Sequence, residues 1–250
     1  MTGVDARYTA ATAGRDLVVL EGLHAVKHAL RFGAEVTDLV TTDLEGLLAL
    51  AAELAPEAVD RLRRSVTVIG PADFGALCRR PPATPLLGVG AVRRAEADGV
   101  LSGGGTKPVV VLEDPRHAGN VGAAVRVAAA AGAEAVLTSG PLDPWSSAVV
   151  RSSAGLNWAL DVGQVTDLVE ALGGVRQVVA FDPGGGTFNP REVAVDSVLV
   201  FGGERHGLSE AAKDRANVVR RLPMRAGVSS LNLATAVAAA LFQLDNENRE

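Results

Sequence analysis

Residues 222–244 read LPMRAGVSSLNLATAVAAALFQL. Val218, Val219 and Leu222 end a short apolar strand, and Pro223 turns the chain into a loop over 224–228. Ser229, Ser230, Leu231 and Asn232 follow, and an Ala-rich helix is predicted over 231–244. Ser and Asn at a helix start accept hydrogen bonds from its first free N–H groups, and those groups can also face a ligand. Strand, loop and capped helix in this order form a unit of an α/β sheet, whose ligands gather outside the carboxyl ends of the strands.

The same alternation runs back through the chain. In the second half, strands are predicted over 109–112, 135–138, 178–181, 198–201 and 218–222. Helices are expected over 123–131, 144–154, 166–172 and 209–215. The run VVVL at 109–112 is apolar throughout, as a strand buried on both faces of a parallel sheet must be. In the first part, strands fall at 17–20, 36–41, 66–69 and 86–92. Helices fall at 22–30, with Gly33 to end it, 44–54, 58–62 and 71–78. Residues 1–16 are small, polar and aperiodic and read as a frayed tail. AEADGVLSGGGTK at 95–107 reads as a flexible linker, because three consecutive glycines favour no single conformation. The fold class is therefore α/β throughout: a small domain over 1–94, a linker over 95–107 and a second domain over 108–250.

Composition narrows the function. The single cysteine, Cys78, excludes an intrachain disulfide and a cysteine-based zinc site and suits a reducing cytoplasm. The histidines lack the HExxH spacing of a zinc hydrolase. No apolar run reaches membrane-spanning length, and no secretory signal opens the chain. The net charge of −5 argues against a generally basic nucleic-acid binder. The cations are mostly arginine, however, and they cluster at Arg61, Arg63 and Arg64, at Arg79 and Arg80, at Arg93 and Arg94, and at Arg215, Arg220, Arg221 and Arg225. Guanidinium forks pair phosphates two oxygens at a time, so local patches can outweigh net charge.

Chemistry is concentrated in loops that follow buried strands. The first is EDPRHAGNVG at 113–122, leading to Arg126 on the next helix, with Asn120 expected to cap that helix. The second is FGGERHGL at 201–208, and the third is the stretch at 222–232. DPGGGT at 182–187 is a fourth, read as a surface turn because it lacks the lysine of a phosphate-binding P-loop. No GxGxxG joins a strand to a helix, which speaks against a dinucleotide oxidoreductase. Glycines after a strand let a flat ligand approach the backbone. Glu204, inside such a loop, is expected to hold loop N–H groups or an arginine. Arg126 is a lone charge among Val125, Val127 and alanines, which favours a functional role.

Three of these stretches, in this order, resemble the motifs of the SpoU (TrmH) family of RNA ribose 2′-O-methyltransferases, of the SPOUT class. They are Asn120-x-Gly122-x-x-x-Arg126, then Phe201-Gly202-Gly203-Glu204-x-x-Gly207-Leu208, then Leu222-Pro223-Met224 with Ser230-Leu231-Asn232. Arg151-Ser-Ser-Ala-Gly155 is similar to a segment between the first two motifs. Leu20-Glu21-Gly22, opening a helix, resembles the family's L30e-like RNA-binding extension. The resemblance implies a SPOUT catalytic domain over 108–250 with a deep C-terminal trefoil knot, an L30e-like domain over 1–94, and a cytoplasmic homodimer whose active site lies near the subunit interface. It implies S-adenosylmethionine as cofactor, held by Phe201, Gly202, Gly203, Leu222, Met224 and Leu231, and no metal. Asn120, Arg126, Glu204, Ser230 and Asn232 are the implied catalytic residues. Gly203 and Ala234 stand where the family often has serine.

The implied substrate is RNA. The L30e-like extension favours 23S rRNA, as in members some of which confer resistance to ribosome-targeting antibiotics. A tRNA 2′-O-methyltransferase and a non-catalytic RNA-binding module are the alternatives. Arg79, Arg80 and the Arg61–Arg64 group are expected to meet RNA from the first domain. An arginine is normally protonated, so Arg126 would act more easily by stabilising a developing oxyanion than as a base.

Overall fold

A computed structural model of the chain describes residues 3–78, 80–173 and 176–248. Arg79, expected to meet RNA, lies outside the described residues. The chain forms two compact units, residues 1–93 with 154–159, and residues 94–153 with 160–250.

The first unit contains helix α1 (Gly3–Ala13), strand β1 (Leu17–Glu21), α2 (Leu23–Arg31), β2 (Val36–Thr41), α3 (Leu44–Leu54), α4 (Val59–Ser65), β3 (Thr67–Val68), α5 (Pro71–Leu77) and β4 (Leu86–Ala91). Its sheet runs β1-β4-β2-β3, antiparallel at both β4 pairings and parallel between β2 and β3. Local chemistry sets the helix ends. Asp43 caps α3 by accepting from Gly46 N at 2.9 Å, and Gly33 follows α2 at φ +79°, where a side chain would be strained.

Residues 3–13 are not a frayed tail. Tyr8 and Ala11, one helical turn apart, are buried against Val19, Leu87 and Val89, and the Tyr8 hydroxyl donates to Asp38 O at 2.9 Å. A short helix of weak amphipathic character is stabilised mainly by such tertiary contacts, which its sequence does not display. Burial, with the nearby Asp38 charge, raises the Tyr8 phenol above its ordinary value.

A segment distant in sequence completes this unit. Gly155 lies at φ +77°, and a Cβ on it would fall 2.2 Å from Ala25 O. Trp158 Nε1 donates to Ala91 O at 3.0 Å, and Arg93 donates to Trp158 O at 2.8 Å.

The second unit contains β5 (Arg94–Ala95), α6 (Ala97–Ser102), β6 (Val109–Glu113), α7 (Ala118–Ala130), β7 (Ala135–Thr138), α8 (Ser147–Ser152), β8 (Asp161–Gln164), α9 (Leu168–Ala171), β9 (Val178–Thr187), β10 (Val198–Gly202), α10 (Glu210–Arg215), β11 (Val218–Arg221) and α11 (Leu233–Asn248). Its seven strands run β11-β9-β10-β6-β7-β8-β5, and every pairing is parallel. Val109, Val110, Val111 and Leu112 are wholly buried at its centre, each contributing about 1.5–3 kcal/mol of apolar transfer.

Three expectations change here. The stretch 95–107 is not wholly loose, because it contains the end of β5 and all of α6, whose Val100 and Leu101 enter the core beside Val109 and Leu137. Residues 182–187 do not form a free turn. After a register shift they continue β9 and pair with β11, Gly186 opposite Arg220 and Thr187 opposite Arg221. A Cβ on Gly185 would meet Val219 C at 2.7 Å, so glycine is required by the close approach of backbone. Finally, α7 begins one turn earlier than expected, with His117 at the cap position. Asn120 therefore lies inside the helix, and its side chain is free for other partners.

Candidate active site

The parallel register creates the site. β10 pairs with β6 so that Gly202 lies beside Glu113, and the loops after these strands leave the sheet together. Two glycines let them meet. A Cβ on Gly203 would fall 2.5 Å from Asp114 O, and one on Gly202 would fall 2.0 Å from Gly207 C. The second loop closes on itself, Gly207 N donating to Gly203 O at 3.1 Å, with Gly207 at φ +65°. Two carboxylates then fasten one loop to the other. Glu113 accepts from Ser209 N and Oγ at 2.8 and 2.6 Å. Glu204 reaches back to accept from Arg116 N at 3.0 Å and Asn120 Nδ2 at 2.6 Å.

The third loop joins through Asn120. Its Oδ1 accepts from Asn232 Nδ2 at 2.9 Å. Asn232 Oδ1 in turn accepts from Ala234 N and Thr235 N at 3.0 and 3.4 Å, capping α11 as its type and place predict. An ionised carboxylate only accepts, so the Asn120 NH2 group must face Glu204 and its oxygen must face Asn232. Burial alone would raise the Glu204 carboxyl. The Arg116 N–H and Asn120 hydrogen bonds outweigh it and hold the group below its ordinary value.

Beside this chain of hydrogen bonds is a cavity of about 440 Å³. Phe201, Gly202, Gly203, Leu222, Met224 and Leu231 line it, together with Glu204, Ser230 and Asn232. Its apolar wall contains Phe181 and Phe201, stacked with ring centroids 4.7 Å apart and planes within 3°. Volume and lining suit a small flat molecule with a polar edge. Sequence reading missed Phe181, Asp182 and Pro183 as lining residues, although the 182–187 loop had drawn attention to this end of β9. It also gave no role to Glu113 or Ser209, whose partnership joins the loops after the neighbouring strands β6 and β10.

Asn120 reaches the cavity wall only through Glu204 and Asn232. Arg126 is not brought to this cavity. It is exposed on α7, six residues past Asn120, and among the described residues its side chain has no hydrogen bond or ion pair. A larger cleft of about 720 Å³ lies near the amino ends of β9 and β11 and includes Arg176, Arg191 and Arg215. Arg176 is already held there by Glu134, Gly103 O and Lys107 O. Among the described residues no group of His, Cys, Asp and Glu could hold a metal ion, and no helix is long and apolar enough to cross a membrane.

A parallel α/β sheet with a ligand-sized cavity at its carboxyl ends, walled by glycine loops, defines a class of cofactor-binding α/β domains. Within it, residues 107–242 match the SpoU rRNA Methylase family, and the chain belongs to that family. A 23S rRNA (guanosine-2′-O-)-methyltransferase RlmB of Xylella fastidiosa is 32% identical over 152 residues, covering 58% of this chain and 61% of the relative. An uncharacterized tRNA/rRNA methyltransferase of Mycobacterium tuberculosis is 30% identical over 240 residues, covering 92% of this chain and 81% of the relative. The crystal structure of an AdoMet-bound rRNA methyltransferase from Sinorhizobium meliloti superimposes with a TM-score of 0.77 at 25% identity, covering 98% and 95% of the two chains. The chain spans 51–61% of the length of the first curated relatives it matches.

Proposed function

We propose that this protein is an S-adenosylmethionine-dependent RNA ribose 2′-O-methyltransferase acting on 23S rRNA in the cytoplasm. The observation that carries the reading is the hydrogen-bonded chain from Glu204 through Asn120 to Asn232, which ties the first motif to the two motif loops that line the cavity. The names of the relatives support the RNA substrate.

The cavity fits the cofactor. Its volume is within the range of about 300–1,000 Å³ usual for small ligands. Gly202 and Gly203 form part of its wall. Phe201, Gly202, Gly203, Leu222, Met224 and Leu231 would hold the cofactor. When bound, the sulfonium supplies an electrophilic methyl group to the ribose oxygen. Glu204 fixes the second loop, Asn120 carries that order to the third, and Asn232 and Ser230 shape the wall beside the acceptor. Arg126 stabilises the negative charge that grows on the 2′-oxygen as its proton passes to solvent water, since a guanidinium stays protonated.

Two finer features belong to this proposal. The C-terminal segment, in which the loops around 201–208 and 222–232 are packed together, forms the deep trefoil knot of a SPOUT domain, and residues 1–94 act as an L30e-like RNA-binding domain. The protein works as a homodimer. Exposed Val228, Leu231 and Phe242 support an apolar interface, and exposed Arg126, remote from its own cavity, is free to serve a site near that interface.

Transfer of radiolabelled methyl from S-adenosylmethionine to transcribed 23S rRNA, 16S rRNA and tRNA, side by side, tests the reading. Label in 23S rRNA at one alkali-resistant position is the expected result. Label in tRNA alone would keep the chemistry and overturn the substrate. Absence of both label and cofactor binding would overturn the enzyme.

A further inference from the structure

We propose that Arg205 and Arg225 form a phosphate-binding rim that grips the RNA backbone beside the target nucleotide. The inference rests on the RNA reading above and assigns a surface that the motifs do not specify.

Each arginine stands one residue from the cavity wall. Arg205 follows Glu204, and Arg225 follows Met224, both of which line it. Both arginines are exposed, and among the described residues neither guanidinium has a hydrogen bond or an ion pair. Other arginines of the same unit are held by carboxylates. Arg94 pairs with Asp143 through two 2.8 Å bonds, Arg176 pairs with Glu134, and Arg220 pairs with Glu192 at 3.0 Å.

The nearby acids have other partners, and Asp182 on the cavity wall accepts from Gly184 N at 2.8 Å and lies 3.8 Å from Lys213 Nζ. Glu113 holds Ser209, Asp114 accepts from Arg116 at 2.5 Å, and Glu204 holds Arg116 N and Asn120. None of these carboxylates forms an ion pair with Arg205 or Arg225. His117 and His206, both exposed, add further donors to the same loops. A chain of net charge −5 thus presents two arginines beside its cavity that, among the described residues, have no ion-pair partner. Such an arrangement attracts a polyanion to one place and repels it elsewhere. A free guanidinium offers a planar fork matched to two phosphate oxygens. The cofactor carries no phosphate, so a phosphodiester backbone is the fitting occupant.

The test measures binding of the full chain to transcribed 23S rRNA by filter retention from 50 to 200 mM KCl, with S-adenosylhomocysteine affinity measured by calorimetry on the same proteins. Wild type is compared with the double variant Arg205→Ala/Arg225→Ala and with Arg215→Ala at the opposite ends of the strands. We expect the double variant to bind RNA about tenfold more weakly and to lose about 1–2 from the salt slope, as for two phosphate contacts. Its affinity for S-adenosylhomocysteine should stay within about twofold, and Arg215→Ala should match wild type. Unchanged RNA affinity and slope in the double variant, with wild type still binding, would overturn the rim and leave the proposed function standing. A fall in S-adenosylhomocysteine affinity with an unchanged slope would assign the arginines to the cofactor and also overturn it. Failure of wild type to bind RNA at all would remove the RNA reading, and the rim with it.

Discussion

Glu113 and Ser209, 96 residues apart, are joined by two hydrogen bonds, from Ser209 N at 2.8 Å and from its hydroxyl at 2.6 Å. The same serine caps α10, its hydroxyl oxygen accepting from Ala212 N at 3.1 Å. Glu113 thus ties the end of β6 to the far end of the glycine loop that walls the cavity. Replacing it by alanine should weaken S-adenosylhomocysteine binding about tenfold, roughly the effect of one charge-assisted hydrogen bond. Glutamine, which keeps an acceptor, should lose less. Calorimetry on both variants checks this, and equal affinity for wild type and Glu113→Ala would show that the loop holds its place without the clamp.

Gly203→Ala should be more damaging. Its Cβ would meet Asp114 O at 2.5 Å and Glu113 O at 2.9 Å, and both obstacles are backbone. One loop has to move, at a cost of about 1–3 kcal/mol, the range for overpacking. Thermal unfolding should show the destabilisation and calorimetry a loss of cofactor binding. A variant with wild-type stability and affinity would contradict the close approach of the two loops.

Arg126→Ala should leave fold and cofactor affinity intact, since the side chain is exposed and has no partner among the described residues. Stability should change by no more than about 0.5 kcal/mol. Methyl transfer should fall by about 100-fold or more, as when one oxyanion-stabilising donor is removed. Near-normal transfer would remove Arg126 from the mechanism.

His28 should make the first unit sensitive to mild acid. Its Nδ1 lies 2.8 Å from Ala154 O, in the segment that completes that unit. Burial lowers the imidazole from its ordinary value; the hydrogen bond opposes this, and the charges of Lys27, Arg31 and His24 add to the lowering. The unfolded chain then binds the proton more readily than the folded one. Stability should be full above about pH 6.5, the unfolded value, and decline as pH falls below it. His28→Gln should lack this decline between about pH 5 and 7, the region where an unperturbed imidazole titrates. Identical pH profiles for the two proteins would rule the histidine out as its source.

Much of this fold was legible residue by residue. The unbroken VVVL of β6 marked a buried parallel strand, and Asn232 before an Ala-rich run marked the cap of α11. Such signals are local: they depend on side chains a few residues apart on one strand or helix. Helix α1 escaped because two small contacts, Tyr8 and Ala11, hold it from outside. Helix α6 escaped because its flanking glycines resemble a linker, while Val100 and Leu101 find their partners only across the core.

The sequence by itself determined the α/β class, the parallel character of the second sheet and two of the loops that line the cavity, 201–208 and 222–232. Those properties follow from apolar periodicity and from the few residue types able to turn or cap a chain. Only the tertiary structure decided that Asn120 bonds Glu204 on one side and Asn232 on the other, across 84 and 112 residues, and that Arg126 stays outside. The reason is that a hydrogen bond between loops depends on distance in space. Here that distance is set by the register of β6 on β10 and by glycines that let the backbones come together.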